Sequence, residues 1–123
     1  MLSRNKSPKQ IDGKLAEDLA AKHLIAQGYE IIARNWRQGR AEIDLIARRE
    51  STLLFVEVKA RNRNDFGFPE QFVSEAQAKR IVKAADAWLF AQPWPGSVRF
   101  DIIAITILPG DAPQIEQFED AFY

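Results

Sequence analysis

Two carboxylates and an ammonium, Asp44, Glu57 and Lys59, fall where they could serve one reaction. Carboxylate oxygens suit a hard cation such as Mg²⁺, which typically takes one or two of them and keeps waters and substrate phosphate oxygens as its other ligands. A cation held this way polarises a phosphoryl oxygen and acidifies a water, while the ammonium orients that water or neutralises developing charge. The chemistry implied is phosphodiester hydrolysis assisted by Mg²⁺ or Mn²⁺.

The elements that must position these groups are two runs of strand formers, Arg40-Ala-Glu-Ile-Asp-Leu-Ile-Ala47 and Leu53-Leu-Phe-Val-Glu-Val-Lys-Ala-Arg61. Four turn-compatible residues, Arg49 to Thr52, separate them, so the segment reads as an antiparallel hairpin. A loop centred between Glu50 and Ser51 sets Asp44 opposite Glu57 and Glu42 opposite Lys59. Strand alternation then gathers Glu42, Asp44, Glu57, Lys59 and Arg61 on one face and puts Ile43, Leu45, Val56 and Val58 on the other. Opposed carboxylates repel and destabilise a sheet, so a compensating cation is expected. The competing reading is a structural ion network, with Glu42 paired to Lys59 and Glu57 to Arg61 on a solvated face. The apolar company of Leu53-Leu-Phe-Val56 argues for a central strand, where an uncompensated charge is costly.

The same residues carry a resemblance. Through Ala41-Glu-Ile-Asp-Leu-Ile46, Phe55-Val-Glu-Val-Lys-Ala-Arg61, Arg99-Phe-Asp101 and Gly13-Lys-Leu-Ala-Glu17, the chain resembles the bacterial YraN family, UPF0102, from about residue 10 to about residue 107. That resemblance implies a three-layer α/β/α restriction-endonuclease-like fold, of the PD-(D/E)xK type, similar to archaeal Holliday-junction resolvases. It implies Asp44 as the motif aspartate, Glu57 and Lys59 as the following pair, and Glu17 as a further acidic metal ligand on the first helix. Ala16 and Ala41 stand where the family usually has glycine, and Lys79 matches a family position.

With 123 residues, 46% hydrophobic and 28% charged, the chain is expected to form one globular domain over 11–123 behind a flexible tail of residues 1–10. Without cysteine there is no disulfide, thiolate zinc site or thiol nucleophile. No run is apolar enough to span a bilayer and no signal peptide is recognisable, which makes the cytoplasm the expected compartment. The net charge is zero, but residues 34–63 hold eight basic residues against four acids, and residues 100–123 hold five acids and no Lys or Arg. Positive potential therefore surrounds the candidate site, as a polyanionic substrate requires. Arg37, Arg40 and Arg61 are the candidate nucleic-acid contacts, since guanidinium forks match phosphate geometry.

Along the chain, a helix capped near Ser7 or Asp12 runs to about Gln27 with Ile11, Leu15, Leu19, Ala20 and Leu24 inward, stopped by Gly28. Tyr29 to Trp36 forms a first strand. The polar segment 62–69, with Phe66 and Phe68, reads as a substrate-contacting loop. Ser74-Glu-Ala-Gln77 reads as a capping box opening a helix with Ala78, Ile81, Val82, Ala85 and Leu89 inward; its Lys79, Arg80 and Lys83 read as a solvated flank. Val98 to Ile107 is a buried strand expected parallel to the Lys59 strand, because a helical crossover joins them. Ile115 to Phe118 adds an antiparallel edge. Asp101 pairs with Arg99, and His23 is structural.

The order is α-β-β-β-α-β with a fifth strand. The reading is a metal-dependent endonuclease acting on DNA, including branched or junction DNA, without a membrane and with a two-fold homodimer as the natural assembly for a symmetric junction. The alternatives are a non-catalytic nucleic-acid-binding protein and a protein-interaction module using Trp88, Phe90, Trp94, Phe118, Phe122 and Tyr123.

Overall fold

A computed structural model describes residues 13–61 and 73–122. The expected tail, the cap and Ile11 of the first helix, the 62–69 loop with Phe66 and Phe68, and Tyr123 lie outside these residues. Helix α1 (Gly13–Ala26) leads into β1 (Glu30–Gln38), β2 (Ala41–Arg49) and β3 (Thr52–Arg61); α2 (Glu75–Ala91) crosses to β4 (Ser97–Thr106), and β5 (Gln114–Phe118) follows. The strands lie side by side in the order β1-β2-β3-β4-β5. β3 and β4 are parallel from Thr52↔Ser97 to Arg61↔Thr106, and the other three pairings are antiparallel. The expected mixed sheet, helical crossover and edge strand are all present, in a three-layer α/β/α fold with one helix on each face of the sheet.

Each face of the sheet has its own core. Ala16, Ala20, Ala21 and Leu24 of α1 pack on Leu45, Ala47, Leu54, Val56, Ile103 and Ile105. The three alanines let the helix lie close to the strands. On the other face Ile81, Ala84, Ala85 and Trp88 of α2 cover Ile43, Ile46, Leu53, Phe55 and Phe100. Trp36 meets Trp88 edge-on with ring centroids 5.5 Å apart, and Phe122 packs on Phe100 at 5.4 Å. Four of the aromatics considered for a partner surface thus belong in part to the domain's own packing: Trp88, Phe122, Phe118 on β5, and Trp94, whose indole N–H donates to Ser51 O and Ser97 O. Phe90 is 91% exposed.

Three expectations fail locally. Leu15 is 44% exposed, because the buried stripe of α1 runs through Ala16, Ala20, Ala21 and Leu24. Ser74 caps α2 by accepting the Gln77 N–H at 3.1 Å, but the Gln77 side chain does not close a capping box; it reaches Glu57 instead. Ile43 does not share a face with Leu45: Ile43 packs under α2, whereas Leu45, Val56 and Val58 pack under α1. The pleat breaks between them, at Asp44.

Helix α1 ends as its sequence predicts. Gly28 takes φ 92°, which lets the Tyr29 N–H return to Leu24 O at 3.0 Å and the Gly28 N–H to Ile25 O at 2.9 Å, a Schellman closure.

Candidate metal centre and its cleft

The β2–β3 hairpin has the expected register. Arg49 pairs with Thr52 across a two-residue turn, and the ladder continues through Ile46↔Phe55 to Leu45↔Val56, where it stops. One residue further, the Asp44 side chain takes over a backbone role: its Oδ2 accepts the Val58 N–H at 2.7 Å. On the neighbouring strand, β1 departs from its pleat at the same level. Arg34 pairs with Leu45 and Trp36 with Ile43, and Asn35 between them adopts φ 52°, a left-handed conformation that asparagine tolerates. From there Asn35 Nδ2 donates to Glu17 Oε1 at 3.0 Å, bringing α1 to the break.

The consequence is an acidic cluster. Glu17, Glu42 and Asp44 each present a carboxylate oxygen, and the three oxygens lie within 4.8 Å of one another, close enough to share one cation. Glu42 joins because the ladder has ended before it; it does not oppose Lys59, and Arg37 pairs with it instead, Nη2 to Oε1 at 3.2 Å. Glu57 is not in this triad. It stands beside Asp44, nearly buried, with Gln77 Nε2 donating to its Oε2 at 3.0 Å and Lys59 Nζ 3.8 Å from the same oxygen.

Electrostatics mark the pair. Burial, reinforced by the charges of Glu17 and Glu42, pushes the Asp44 carboxyl up to about 6 against the Val58 hydrogen bond. Burial and then the Asp44 charge push Glu57 up to about 8, opposed by Lys59 and Gln77. Burial and mutual repulsion thus favour a proton retained within the pair over two full negative charges. All-oxygen donors, crowded and short of positive charge, fit a hard divalent cation.

These groups line one side of a cleft of about 230 Å³, whose floor carries Glu42, Asp44 and Glu57 beside Ala41. Its rims are Arg40 at the β1–β2 turn and Gln77, Arg80 and Ile81 on α2. Of the residues expected to bind nucleic acid, Arg40 is at the cleft and Arg37 at its edge through Glu42. Arg61 is not. Its guanidinium is buried, donating to Thr106 Oγ1 and Glu116 Oε1 at 2.8 Å each, where it fastens β3 to β4 and β5. Asp101, also fully buried, holds Arg99 at 2.9 Å with both oxygens and accepts from Gln117 and the Asp120 N–H, a structural anchor away from the cleft. His23 is engaged with Gln117 and Gln27, in keeping with a structural role. Gln77 and Arg80 are the cleft residues that sequence reasoning missed; the only signal was their place early in an amphipathic helix that follows the Glu57 strand.

Residues 16–105 match the family described as uncharacterised protein family UPF0102. The chain belongs to that family. The UPF0102 protein of Geobacter sulfurreducens is 46% identical over 114 residues, covering 92% of this chain and 89% of that protein. That of Flavobacterium psychrophilum is 43% identical over 111 residues, covering 90% and 92%. Among solved structures, SfsA of Pyrococcus furiosus in complex with Ca²⁺ aligns over 87% of this chain and 62% of its own, at 15% identity and a TM-score of 0.36, too loose a likeness to carry an argument. Among the described residues, no helix of this UPF0102 member is long and apolar enough to cross a membrane.

Proposed function

We propose that this protein is a Mg²⁺- or Mn²⁺-dependent endonuclease that hydrolyses phosphodiester bonds in DNA, branched or junction DNA included. The observation that carries the reading is the break in the pleat at Asp44, which crowds Asp44 against Glu57 in an open cleft, with the Lys59 ammonium 3.8 Å from Glu57. Nothing in sheet stability calls for such a cluster; repulsion and desolvation both oppose it.

Asp44, with Glu17 and Glu42 in reach, would hold the cation, and Glu57 would complete the set on losing its proton. Bound there, the cation supplies Lewis acidity to the phosphoryl oxygen and lowers the pKa of water. The chain does the rest. The Val58 N–H fixes the Asp44 carboxylate in one orientation, and Gln77 does the same for Glu57. Lys59 Nζ, partly exposed at the strand end, is placed to orient the attacking water and offset the charge that develops on the phosphorane-like oxygens.

The test is a cleavage panel of single-stranded, duplex, flap and four-way-junction DNA with Mg²⁺ or Mn²⁺, run beside Lys59→Ala. Expected is metal-dependent cleavage of at least one substrate that the variant lacks. Cleavage by the variant at the wild-type rate refutes the role of Lys59, and absence of any cleavage or metal response in the wild type refutes the reading.

A further inference from the structure

Arg40 and Arg80 line the same cleft from two different elements, one from the β1–β2 turn and one from α2, beside three carboxylates. Guanidinium groups beside carboxylates ordinarily pair with them. Arg37 does so, taking Glu42, and Lys59 approaches Glu57. Arg40 and Arg80 do not: both are exposed, and neither makes an ion pair or side-chain hydrogen bond among the described residues. Apart from Ala41 and Ile81 the described cleft wall is polar, and no aromatic ring is among the described residues that line it. Its 230 Å³ has room for a backbone phosphate and its hydration, and the described lining offers no surface on which a base could stack.

We infer that Arg40 and Arg80 form a two-sided clamp for the sugar-phosphate backbone of one nucleic-acid strand, which crosses the cleft between the β1–β2 turn and α2 and is held without regard to base sequence. This rests on the nuclease reading and deepens it: it assigns Arg80 of α2, read from sequence as part of a solvated flank, to the substrate surface. Charge complementarity supports it. An acidic floor repels a polyanion unless a cation covers the floor and fixed positive groups meet the phosphate from the sides, and these two arginines are the uncommitted cations among the described residues that line the cleft.

The experiment measures two things on the full chain. Mn²⁺-induced change in melting temperature reports the metal site. Anisotropy of a fluorescein-labelled deoxythymidine strand, and of a mixed-sequence strand of equal length, with Mn²⁺ at several salt concentrations reports the clamp. Arg80→Ala and Arg40→Ala are each expected to keep the Mn²⁺ shift and to flatten the plot of log affinity against log salt by about 0.7, the value per single-strand phosphate contact. The double variant should lose about twice that, Arg80→Lys should retain most of it, and Lys22→Ala, exposed on α1 outside the cleft, should change nothing. Arg80→Gln repeats the measurement should the alanine variant melt early. A wild-type slope in Arg80→Ala, equal flattening in Lys22→Ala, or a preference of about tenfold between the two strands overturns the clamp. So does a wild type that responds to Mn²⁺ but binds no strand, leaving the metal site standing. A wild type with neither response removes the nuclease reading, and the clamp with it.

Discussion

Gln77 Nε2 lies 3.0 Å from Glu57 Oε2, a single hydrogen bond that ties the first turn of α2 to the central strand carrying the candidate metal centre. Glu57 is nearly buried, so this donor and Lys59 are what offset its charge. Partners that orient a ligand carboxylate typically govern metal affinity by about 10- to 100-fold. Gln77→Ala is therefore expected to weaken Mn²⁺ binding by at least the lower figure while leaving the fold intact, read by thermal-shift titration. Unchanged affinity would mean that Glu57 takes no part in holding the cation.

A pH prediction follows from the same pair. The Asp44 and Glu57 carboxyls are raised in the folded protein to about 6 and about 8 from ordinary values of 3.8 and 4.5. Between those limits the native state binds more protons than the unfolded chain, so stability falls as pH rises. Metal-free protein should thus lose melting temperature from about pH 5 to about pH 8, and Glu57→Gln should flatten the upper half of that decline. Because Mn²⁺ competes with protons for the same oxygens, its stabilising effect should grow over the same interval. Melting curves in EDTA and in Mn²⁺ at unit pH steps check both signs; a stability that rises to pH 8 in EDTA, unaltered by Glu57→Gln, contradicts them.

Asp101 offers a contrast. It is fully buried with Arg99 on both oxygens, and Gln117 and Asp120 also depend on it. Removing one partner of a buried ion pair costs about 3–5 kcal/mol. Asp101→Asn should lower the melting temperature by more than about 10 °C. The Mn²⁺ response of whatever remains folded should stay that of wild type, since Asp101 does not line the cleft; loss of that response at preserved stability would move Asp101 into the site.

A backbone contact gives a fourth expectation. Any Cβ on Gly96 would lie 2.0 Å from Ser51 O, the atom that also accepts from the Ser97 N–H and the Trp94 indole. The β2–β3 turn and the start of β4 therefore touch with no room for a methyl group. Gly96→Ala should cost about 1–3 kcal/mol, seen as a lower urea midpoint with unchanged slope. A midpoint equal to wild type would show that the turn moves aside freely.

Element order, the parallel crossover and the hairpin register were legible because each follows from local pattern: alternating apolar residues, a short polar turn and a capped amphipathic helix. Asp44 and Glu57 were legible because the register made them neighbours. The break at Asp44 was not. It depends on a side chain replacing a backbone acceptor and on the left-handed turn of Asn35, and strict alternation extrapolated through it misplaced Ile43 and paired Glu42 with Lys59. Gln77 fitted a capping box equally well, and only the packing of α2 over β3 decides between Ser74 and Glu57 as its side-chain partner. Arg61 reads as a surface cation until β5 supplies Glu116, more than fifty residues away in sequence.

The parallel pairing of β3 with β4 has a kinetic side. Thr52 and Ser97 are 45 residues apart, so this ladder closes a long loop, whereas β1, β2 and β3 join through tight turns. Local pairing is the faster event. During refolding the meander should therefore gain amide protection before β4 docks, with Asp44 and Glu57 already neighbours but Gln77 and Arg80 still unplaced. Since α2 lies within the closing loop, Asp44 and Glu57 come together early and Gln77 and Arg80 join them late, so on the proposed function the protein would be able to capture a cation before it could capture a strand.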